Sequence, residues 1–409
     1  MSVLREKLKL DRHHRIERFG VLFFVLVLLL SVVVTSIAIK KAKDDSVTLD
    51  NRVVYTNSFK TSLTEQSGTV EGIYKNEDNT KVFVLLKFKS MSKMSTNAEN
   101  YQMFLTGSSL DMKKTDLKNV PKGCIYMFGS TGYMGIYLVD TNGFQKQIFD
   151  LVVRCNSELS SKTQTASESY NGDASFTNYD QFRLYFNPGG TKCGIMECLS
   201  SDEVRPFDIY EELIVRPKEL ELRDTLNADL ETMQTNLAVI QEYTERVARD
   251  GIVVPETPYL IAGDTITCDE NGIYTLHTDR IVAKGFDFDW QNGSIRNGYL
   301  DALTGDLSYT QYFSTKNSEV DSVPFSTSKL KWYYTDGSEY SASDSMSVGI
   351  GATINNDITN LTSAWQTYYN NKKSYQTSDL KELLLLEIDA KDVEVNCTMN
   401  NSDTVLTTY

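Results

Sequence analysis

One pair of carboxylates has a spacing that is compatible with acid–base catalysis. Asp287 and Asp289 alternate with three aromatic residues, Phe286, Phe288 and Trp290. Residues two apart on a strand point to the same face about 7 Å apart, and a glycosidase places two carboxyl groups around the bond that it cleaves. The same alternation is typical of a half-buried strand with a solvated polar face. We favour this structural interpretation, with a hydrolase that uses carboxylates alone as a minor alternative.

Histidine adds little further chemistry. His13 and His14 lie close to the N-terminus, and His277 is the third and last histidine. A lone histidine cannot form a multi-histidine zinc site. The chain also has no GxxxxGK[ST] phosphate loop, no GxGxxG fingerprint and no GxSxG nucleophile elbow. We therefore predict that His277 is a structural residue at a strand end, and that the protein is not an enzyme and has no cofactor and no metal site.

The six cysteines offer a structural rather than a catalytic possibility. They are Cys124, Cys155, Cys193, Cys198, Cys268 and Cys397. Cys193 and Cys198 enclose four residues, which makes them the candidate pair for a disulfide across a tight hairpin. An oxidising compartment would permit such a bridge. Buried thiols are the alternative, because cysteine without a bridge is among the most buried residue types. The sequence leaves both states open.

Aromatic residues are dense in the C-terminal half of the chain. Five of them form a candidate interaction surface: Trp290, Tyr299, Trp332, Tyr333 and Tyr334. Exposed Trp and Tyr rings anchor protein interfaces, and their flat apolar faces stack on sugars. A partner protein or a glycan would therefore suit this surface. The competing interpretation is that the rings belong to strand cores, because β-sheets select aromatic residues for cross-strand pairs.

The first structural element that the sequence predicts is a membrane segment. Gly20–Ile39 contains twenty residues without a charge, enough to cross the roughly 30 Å hydrocarbon core as one helix. The preceding residues 1–19 carry six basic and three acidic residues, whereas three lysines follow the segment, Lys40, Lys41 and Lys43. The positive-inside rule then predicts a cytoplasmic N-terminus and a single span. A cleaved signal peptide is the alternative, but its apolar region is usually shorter.

The chain beyond the membrane segment is strongly acidic. Residues 44–409 hold 32 basic and 52 acidic residues, a formal charge of about −20. Such an excess repels phosphates, so we expect no nucleic-acid partner for this part of the chain. The sequence predicts a signal-anchor protein of the cell membrane, with the N-terminus in the cytoplasm and the bulk of the chain outside.

Composition and turn signals divide the chain into six segments. The predicted order is a cytoplasmic tail 1–19, a transmembrane helix 20–39, a juxtamembrane linker 40–65, a β-rich domain 66–205, a long helix or connector 206–255 and a second α+β domain 256–409. Within the first domain, Asn142-Gly143 stands between two β-prone runs and predicts a hairpin between them, because both turn positions favour positive φ. A helix is predicted near residues 353–372 in the second domain, where apolar residues recur every three or four positions.

The long helix has a heptad pattern. Its seam comprises Leu226, Leu230, Met233, Leu237, Ile240 and Val247, with Thr244 completing the spacing. This pattern is typical of a coiled coil, so self-association through residues 217–250 is one interpretation. About three heptads interrupted by a threonine are short for a stable dimer. We favour packing of the seam against the rest of the chain, because most helices gain their stability in that way.

Together these patterns predict an α+β, β-rich protein with a single N-terminal transmembrane helix, followed by two extracytoplasmic β-rich units joined by a long amphipathic helix. We expect a non-catalytic interaction or scaffold component of a cell-envelope assembly, such as a secretion, conjugation or surface apparatus, with envelope proteins as partners. A surface adhesin or cell-wall glycan-binding protein that uses the C-terminal aromatic residues is the alternative. The composition, rich in Lys, Asn and Tyr and poor in His and Trp, suggests a bacterial source.

Overall fold

The computed structural model describes residues 15–155, 175–282, 290–299, 329–341 and 350–397, together with seven further positions between 307 and 327. The chain forms two compact units. The first consists of Met1–Ile209 and Glu394–Tyr409, and the second of Tyr210–Val393. This division differs from the predicted one, because the long helix belongs to the second unit and the C-terminal segment returns to the first.

Helices and strands alternate irregularly along the described residues. The helices are α1 (Arg15–Asn51), α2 (Ser175–Asn178), α3 (Pro206–Tyr210), α4 (Arg216–Arg249), α5 (Ile350–Ser374) and α6 (Leu380–Asp392). The strands are β1 (Ser58–Lys60), β2 (Ser67–Lys75), β3 (Lys81–Phe88), β4 (Tyr101–Ser108), β5 (Lys114–Thr115), β6 (Lys122–Phe128), β7 (Tyr133–Val139), β8 (Ile148–Cys155), β9 (Asp180–Phe186), β10 (Gly194–Ile195), β11 (Ile252–Val253), β12 (Thr265–Cys268), β13 (Tyr274–His277), β14 (Trp332–Tyr334), β15 (Glu339–Tyr340) and β16 (Val395–Cys397). Short π-helical turns, Glu211–Val215 and Tyr375–Asp379, precede α4 and α6. The structure therefore has the α+β character that the sequence predicts.

Helix α1 is longer than the apolar run within it. Phe19–Asn51 includes an 18-residue window of mean hydropathy 3.0 that is not buried, so this helix is long and apolar enough to cross a membrane. Residues 40–51, the first part of the predicted juxtamembrane linker 40–65, continue the helix. The physical reason is that neither Gly nor Pro occurs between Gly20 and Gly68 to interrupt it. Helical backbone thus joins the apolar segment directly to the first folded unit.

Two antiparallel sheets form the first unit. One has the strand order β1-β2-β3-β7-β6-β16, with β10 parallel to β2, and the other has the order β5-β4-β8-β9. Alternate residues of the central strands point into the space between the sheets and form one buried cluster, which includes Val82, Val84, Leu86, Met103, Leu105, Ile125, Ile136, Leu151, Val153, Phe182 and Leu184. Phe83 and Leu85, on the other face of β3, are also buried. Both faces of β3 are therefore covered, which explains why its sequence is a continuous apolar run.

The Asn142-Gly143 turn does not close the predicted hairpin. β7 pairs with β3 and β6, whereas β8 pairs with β4 and β9 in the other sheet. The turn itself forms, since Gly143 has φ of 79° and its N–H donates to the Asp140 carbonyl at 3.0 Å. Phe144 then enters the core between the sheets. Burial of this ring directs the chain across the sandwich instead of back along β7.

The C-terminal strand completes the larger sheet. β16 pairs antiparallel with β6, with Asn396 opposite Met127. The Asn396 side chain accepts a hydrogen bond from the Ala98 N–H at 2.7 Å and donates one to the Thr96 carbonyl at 3.0 Å. The edge of β6 is thereby covered by residues from the other end of the sequence.

The described residues of the second unit are mainly helical, whereas the sequence predicts a β-rich unit. α4 packs against α5 and α6, and the small hairpins β12–β13 and β14–β15 lie beside them. Both hairpins use the turns that their Asn271-Gly272 and Asp336-Gly337 sequences indicate, with φ of 78° at Gly272 and 87° at Gly337. The helix predicted at residues 353–372 lies within α5.

Candidate functional site

One buried side chain fixes the end of α1 to the first unit. The Asn187 Nδ2 donates to the Leu49 carbonyl at 2.6 Å, and the Asn187 N–H donates to the Val53 carbonyl at 2.7 Å. Its Oδ1 accepts from the N–H groups of Gln147 at 3.2 Å and Gly189 at 3.1 Å. Asn187 is fully buried. It satisfies a carbonyl at the C-terminal end of the helix, where intrahelical donors run out.

Further contacts hold the last turn of α1 in place. Thr191 donates to the Asp50 carbonyl from its N–H at 3.1 Å and from its hydroxyl at 2.7 Å. Lys146 forms an ion pair with the Asp50 carboxylate, and Val54 forms a β-bridge with Phe186. The helix therefore enters the β-sandwich through a hydrogen-bonded junction rather than a flexible joint.

A pocket of about 360 Å³ lies beside this junction. Lys41, Asp45 and Leu49, spaced four residues apart on one face of α1, form one wall. The other wall comes from the residues that follow β4, from Lys118 and from residues 146–148. The sequence does not indicate this pocket, because only the fold brings these distant segments beside the helix.

The second unit has a buried ion pair at its centre. The Lys372 Nζ lies 2.6 Å from the Asp264 Oδ2, and the two side chains are 0% and 1% exposed. The ammonium also donates to the Leu260 carbonyl at 2.8 Å and the Thr278 hydroxyl at 2.9 Å. The Tyr368 hydroxyl donates to Asp264 at 2.9 Å; burial and the nearby carboxylate raise the pKa of Tyr368, which keeps it a donor. All three ammonium protons have acceptors, an arrangement typical of a structural pair.

A second buried network holds two residues of the predicted interaction surface. The Arg223 guanidinium donates to the Trp290 carbonyl at 2.8 Å and the Tyr299 hydroxyl at 2.6 Å. The Tyr299 hydroxyl donates to Glu219 at 2.9 Å, and the Trp290 Nε1 donates to the Tyr375 hydroxyl at 2.7 Å. Burial, reinforced by Glu219, raises the pKa of Tyr299. Both rings serve the internal packing of the unit.

The predicted aromatic surface is largely core. Trp290, Tyr299 and Trp332 are 4%, 5% and 8% exposed, and Trp332 stacks on Trp365 with ring centroids 6.3 Å apart. Tyr333 is 39% exposed, and Tyr334 is partly buried against Tyr340. The prediction fails in part because side chains alternate between the two faces of a strand, so that Tyr333 of β14 is exposed while its neighbour Trp332 is buried.

The candidate disulfide pair is not bridged. Cys193 is a buried thiol, and its Sγ lies 3.4 Å from the Pro188 carbonyl. Burial raises the pKa of Cys193 to about 11, although the nearby Lys75 opposes this shift. Cys198 is a partly buried thiol in a 3₁₀ turn. The two do not face each other across a hairpin, because β10 between them pairs in parallel with β2.

The heptad seam of α4 packs inside the second unit. Leu226, Leu230, Met233, Ile240 and Val247 are buried and Leu237 is partly buried. The helices that α4 contacts are α5 and α6 of the same unit. Self-association through residues 217–250 would therefore have to use another face of the helix.

Among the described residues, no group of three His, Cys, Asp or Glu side chains is arranged to hold a metal ion. His277 lies at the exposed end of β13, with its Nε2 2.9 Å from the Thr267 hydroxyl oxygen. Asp287 and Asp289 lie outside the described residues. No protein-family model, no curated protein and no solved structure matches this chain. Its function must therefore be argued from its own residues.

Two carboxyl groups of the second unit share a proton-sensitive contact. Asp229 on α4 lies beside Asp379 in the π-helical turn before α6, where the two carboxyl groups can share a hydrogen bond when one of them is protonated. Burial, followed by the charge of Asp379 and by this hydrogen bond, raises the pKa of Asp229 to about 6. A protonated Asp229 donates to Asp379, whereas two carboxylates repel each other. The stabilisation that protonated Asp229 provides is fully present below the pKa that Asp229 has in the unfolded chain. It is lost as the pH rises through about 6, the pKa of Asp229 in the folded protein.

The variant Asp229→Asn is expected to stabilise the second unit by about 1 kcal/mol at pH 7.5, because the amide donates to Asp379 without a charge and solvent screens the partly exposed pair. At pH 4.5 the gain should largely disappear, since Asp229 is then protonated. Tryptophan fluorescence during urea unfolding measures the effect, because all three tryptophans belong to this unit. Asp224→Asn, at an exposed position of the same helix, is the matched control. Equal gains at both pH values would contradict the shared-proton interpretation.

Proposed function

We propose that the protein is a single-pass membrane protein with its bulk on the extracytoplasmic side, where it acts as a non-catalytic interaction scaffold of a cell-envelope assembly. The observation that carries this proposal is the continuity of α1. Its apolar segment is long enough to cross a membrane, and its last turn is fixed to the β-sandwich by Asn187 and Thr191. A folded unit held in this way keeps a defined position relative to a bilayer, which suits a component around which others assemble.

The distribution of polar groups also supports a scaffold. The buried pair Lys372–Asp264 and the network around Tyr299 and Glu219 use their hydrogen bonds internally. Such networks stabilise a unique fold, whereas a catalytic group needs a substrate within hydrogen-bonding distance. The charge of about −20 over residues 44–409 is consistent with a solvated part of the chain.

The glycan-binding alternative has less support. It depended on several exposed rings in a row, and Trp290, Tyr299 and Trp332 are buried. Tyr333 is the ring of that set with substantial exposure. One partly exposed tyrosine offers little area for stacking on a sugar.

Protease treatment of intact spheroplasts tests the topology. The full-length protein would carry one epitope before Met1 and another after Tyr409. We expect the C-terminal epitope to be digested from outside while the N-terminal epitope stays protected until the membrane is permeabilised, because the tail before the apolar segment is basic. Protection of the C-terminal epitope in intact spheroplasts would contradict the proposal.

Crosslinking in intact cells tests the scaffold role. The C-terminally tagged full-length protein is crosslinked, purified and analysed by mass spectrometry. A tagged anchor that ends at Asn51 is the matched control, since it keeps α1 and lacks both folded units. We expect a reproducible set of envelope proteins with the full chain and not with the anchor. Recovery of cell-wall glycan without protein would instead favour the adhesin alternative.

A further inference from the structure

The pocket beside α1 lies at the level of a membrane surface. This inference rests on the proposed function, because it requires α1 to cross a bilayer. Ile39 ends the apolar run, and Lys41 and Leu49 line the pocket. At about 1.5 Å per residue, Lys41 stands about 3 Å and Leu49 about 15 Å beyond that end. The headgroup layer is roughly 5–8 Å thick on each side, so the lower part of the pocket lies among lipid headgroups.

Three lysines from separate parts of the chain line this pocket. Lys146 is engaged by the carboxylate of Asp50. The Lys118 Nζ lies 3.5 Å from the Lys146 carbonyl oxygen. Within the part of the chain that the structure describes, neither Lys41 nor Lys118 forms an ion pair. Two ammonium groups are thus available at the pocket for an anionic ligand.

The remaining lining residues narrow the class of ligand. Asp45, Asp111 and Ser109 provide oxygen acceptors in the same pocket. Two carboxylates disfavour a ligand with several negative charges, but they accept hydrogen bonds from hydroxyl groups. Leu49 and Leu110 add apolar surface, which suits the glycerol backbone and upper acyl chains of a lipid.

We propose that the pocket binds one anionic phospholipid whose phosphodiester carries a hydroxyl-bearing headgroup, of which phosphatidylglycerol is the simplest. Lys41 and Lys118 contact the phosphate, and Asp45 and Asp111 accept hydrogen bonds from the headgroup hydroxyls. Such a contact would help to hold a strongly acidic part of the chain close to the membrane. An extracytoplasmic part of about −20 is repelled by an anionic bilayer, and a bound lipid offsets that repulsion at the junction.

Native mass spectrometry of the full-length protein in detergent tests this proposal. The protein is titrated with phosphatidylglycerol, with phosphatidylcholine, which lacks headgroup hydroxyls, and with soluble glycerol 3-phosphate. We expect one retained phosphatidylglycerol per chain and at least about tenfold weaker retention for the Lys41→Gln, Lys118→Gln double variant. Lys89→Gln is the control, because Lys89 is exposed and does not line the pocket. Circular dichroism melting checks that the double variant folds, as expected for two exposed positions.

Comparison of the three ligands distinguishes a lipid phosphate from a soluble one. Equal retention of phosphatidylcholine, or no change in the double variant, overturns the proposal. Glycerol 3-phosphate that binds as tightly as the lipid also overturns it, because the ligand would then be a soluble phosphoester. Failure here leaves the spheroplast result intact, so the lipid site and the proposed function are tested by separate measurements.

Discussion

Replacing Lys372 with methionine is expected to lower the free energy of unfolding of the second unit by about 3–5 kcal/mol. The substitution leaves the Asp264 carboxylate buried without its counter-ion, with Tyr368 and Thr278 as the remaining donors. Urea unfolding followed by tryptophan fluorescence measures this loss, because Trp290, Trp332 and Trp365 all belong to the second unit. The loss is large because both partners are buried, so water cannot solvate the carboxylate that remains.

Two further variants make this prediction specific. Lys373→Met removes the neighbouring lysine, which is only partly buried, and should change stability by less than about 0.5 kcal/mol. The double variant Lys372→Met, Asp264→Asn removes both charges and should recover a large part of the loss. A Lys372→Met protein as stable as the wild type would show that the pair does not have the burial that we assign to it.

Replacing Asn187 with alanine is expected to loosen the junction between α1 and the β-sandwich. Three hydrogen bonds are lost, and the Leu49 carbonyl and the N–H groups of Gln147 and Gly189 lose their partner. At about 1 kcal/mol per bond, the cost is about 3 kcal/mol, equivalent to roughly a hundredfold faster exchange of local amide hydrogens. Hydrogen–deuterium exchange of the full-length protein, read over residues 47–54, measures this change.

Matched variants distinguish the side-chain bonds from a general turn effect. Asn142→Ala changes an exposed asparagine in another turn of the same unit and should leave exchange near residue 50 unaltered. Asn187→Asp places a carboxylate at this fully buried position against the Leu49 carbonyl oxygen, so it should loosen the junction at least as much as alanine does. Unchanged exchange in the alanine variant would show that the helix end is held by other contacts.

The elements that follow from local patterns could be predicted from the sequence. Residues 82–88, an apolar run in the sequence, lie in β3, and the stripes of apolar residues in α4 and α5 match their helices. These patterns reflect the burial of one face of an element, which a single segment encodes by itself. The segment 383–386, ambiguous in sequence because four leucines fit a helix or a buried strand, lies in α6.

Features that depend on distant parts of the chain could not be predicted. The hairpin at Asn142-Gly143 fails because Phe144 is needed in the core between the sheets, and nothing near the turn encodes that demand. The pocket beside α1 likewise requires Lys41 and Lys118 to be brought together by the fold. At the turn the local signal is correct but tertiary contacts decide the path of the chain, and at the pocket there is no local signal.

The sequence does indicate one buried polar residue, Lys372. Leu361, Trp365 and Tyr368 recur at intervals of four and three along the buried face of α5, and the next position of that stripe is Lys372. A lysine at an apolar position of a helix indicates a buried charge, which in turn requires a carboxylate nearby. The partner Asp264 lies more than a hundred residues away, so the pattern could reveal the cation but not its counter-ion.

The closing strand β16 has a consequence for how the chain is made. β6 and β16 are about 270 residues apart in the sequence, so the larger sheet keeps an open edge while the whole second unit is synthesised. An unpaired edge offers its backbone groups to any extended chain nearby, and such distant pairings form slowly. The edge of β6 therefore stays open until residues 395–397 have been made, and a chain that stops before them would keep that edge exposed to other chains.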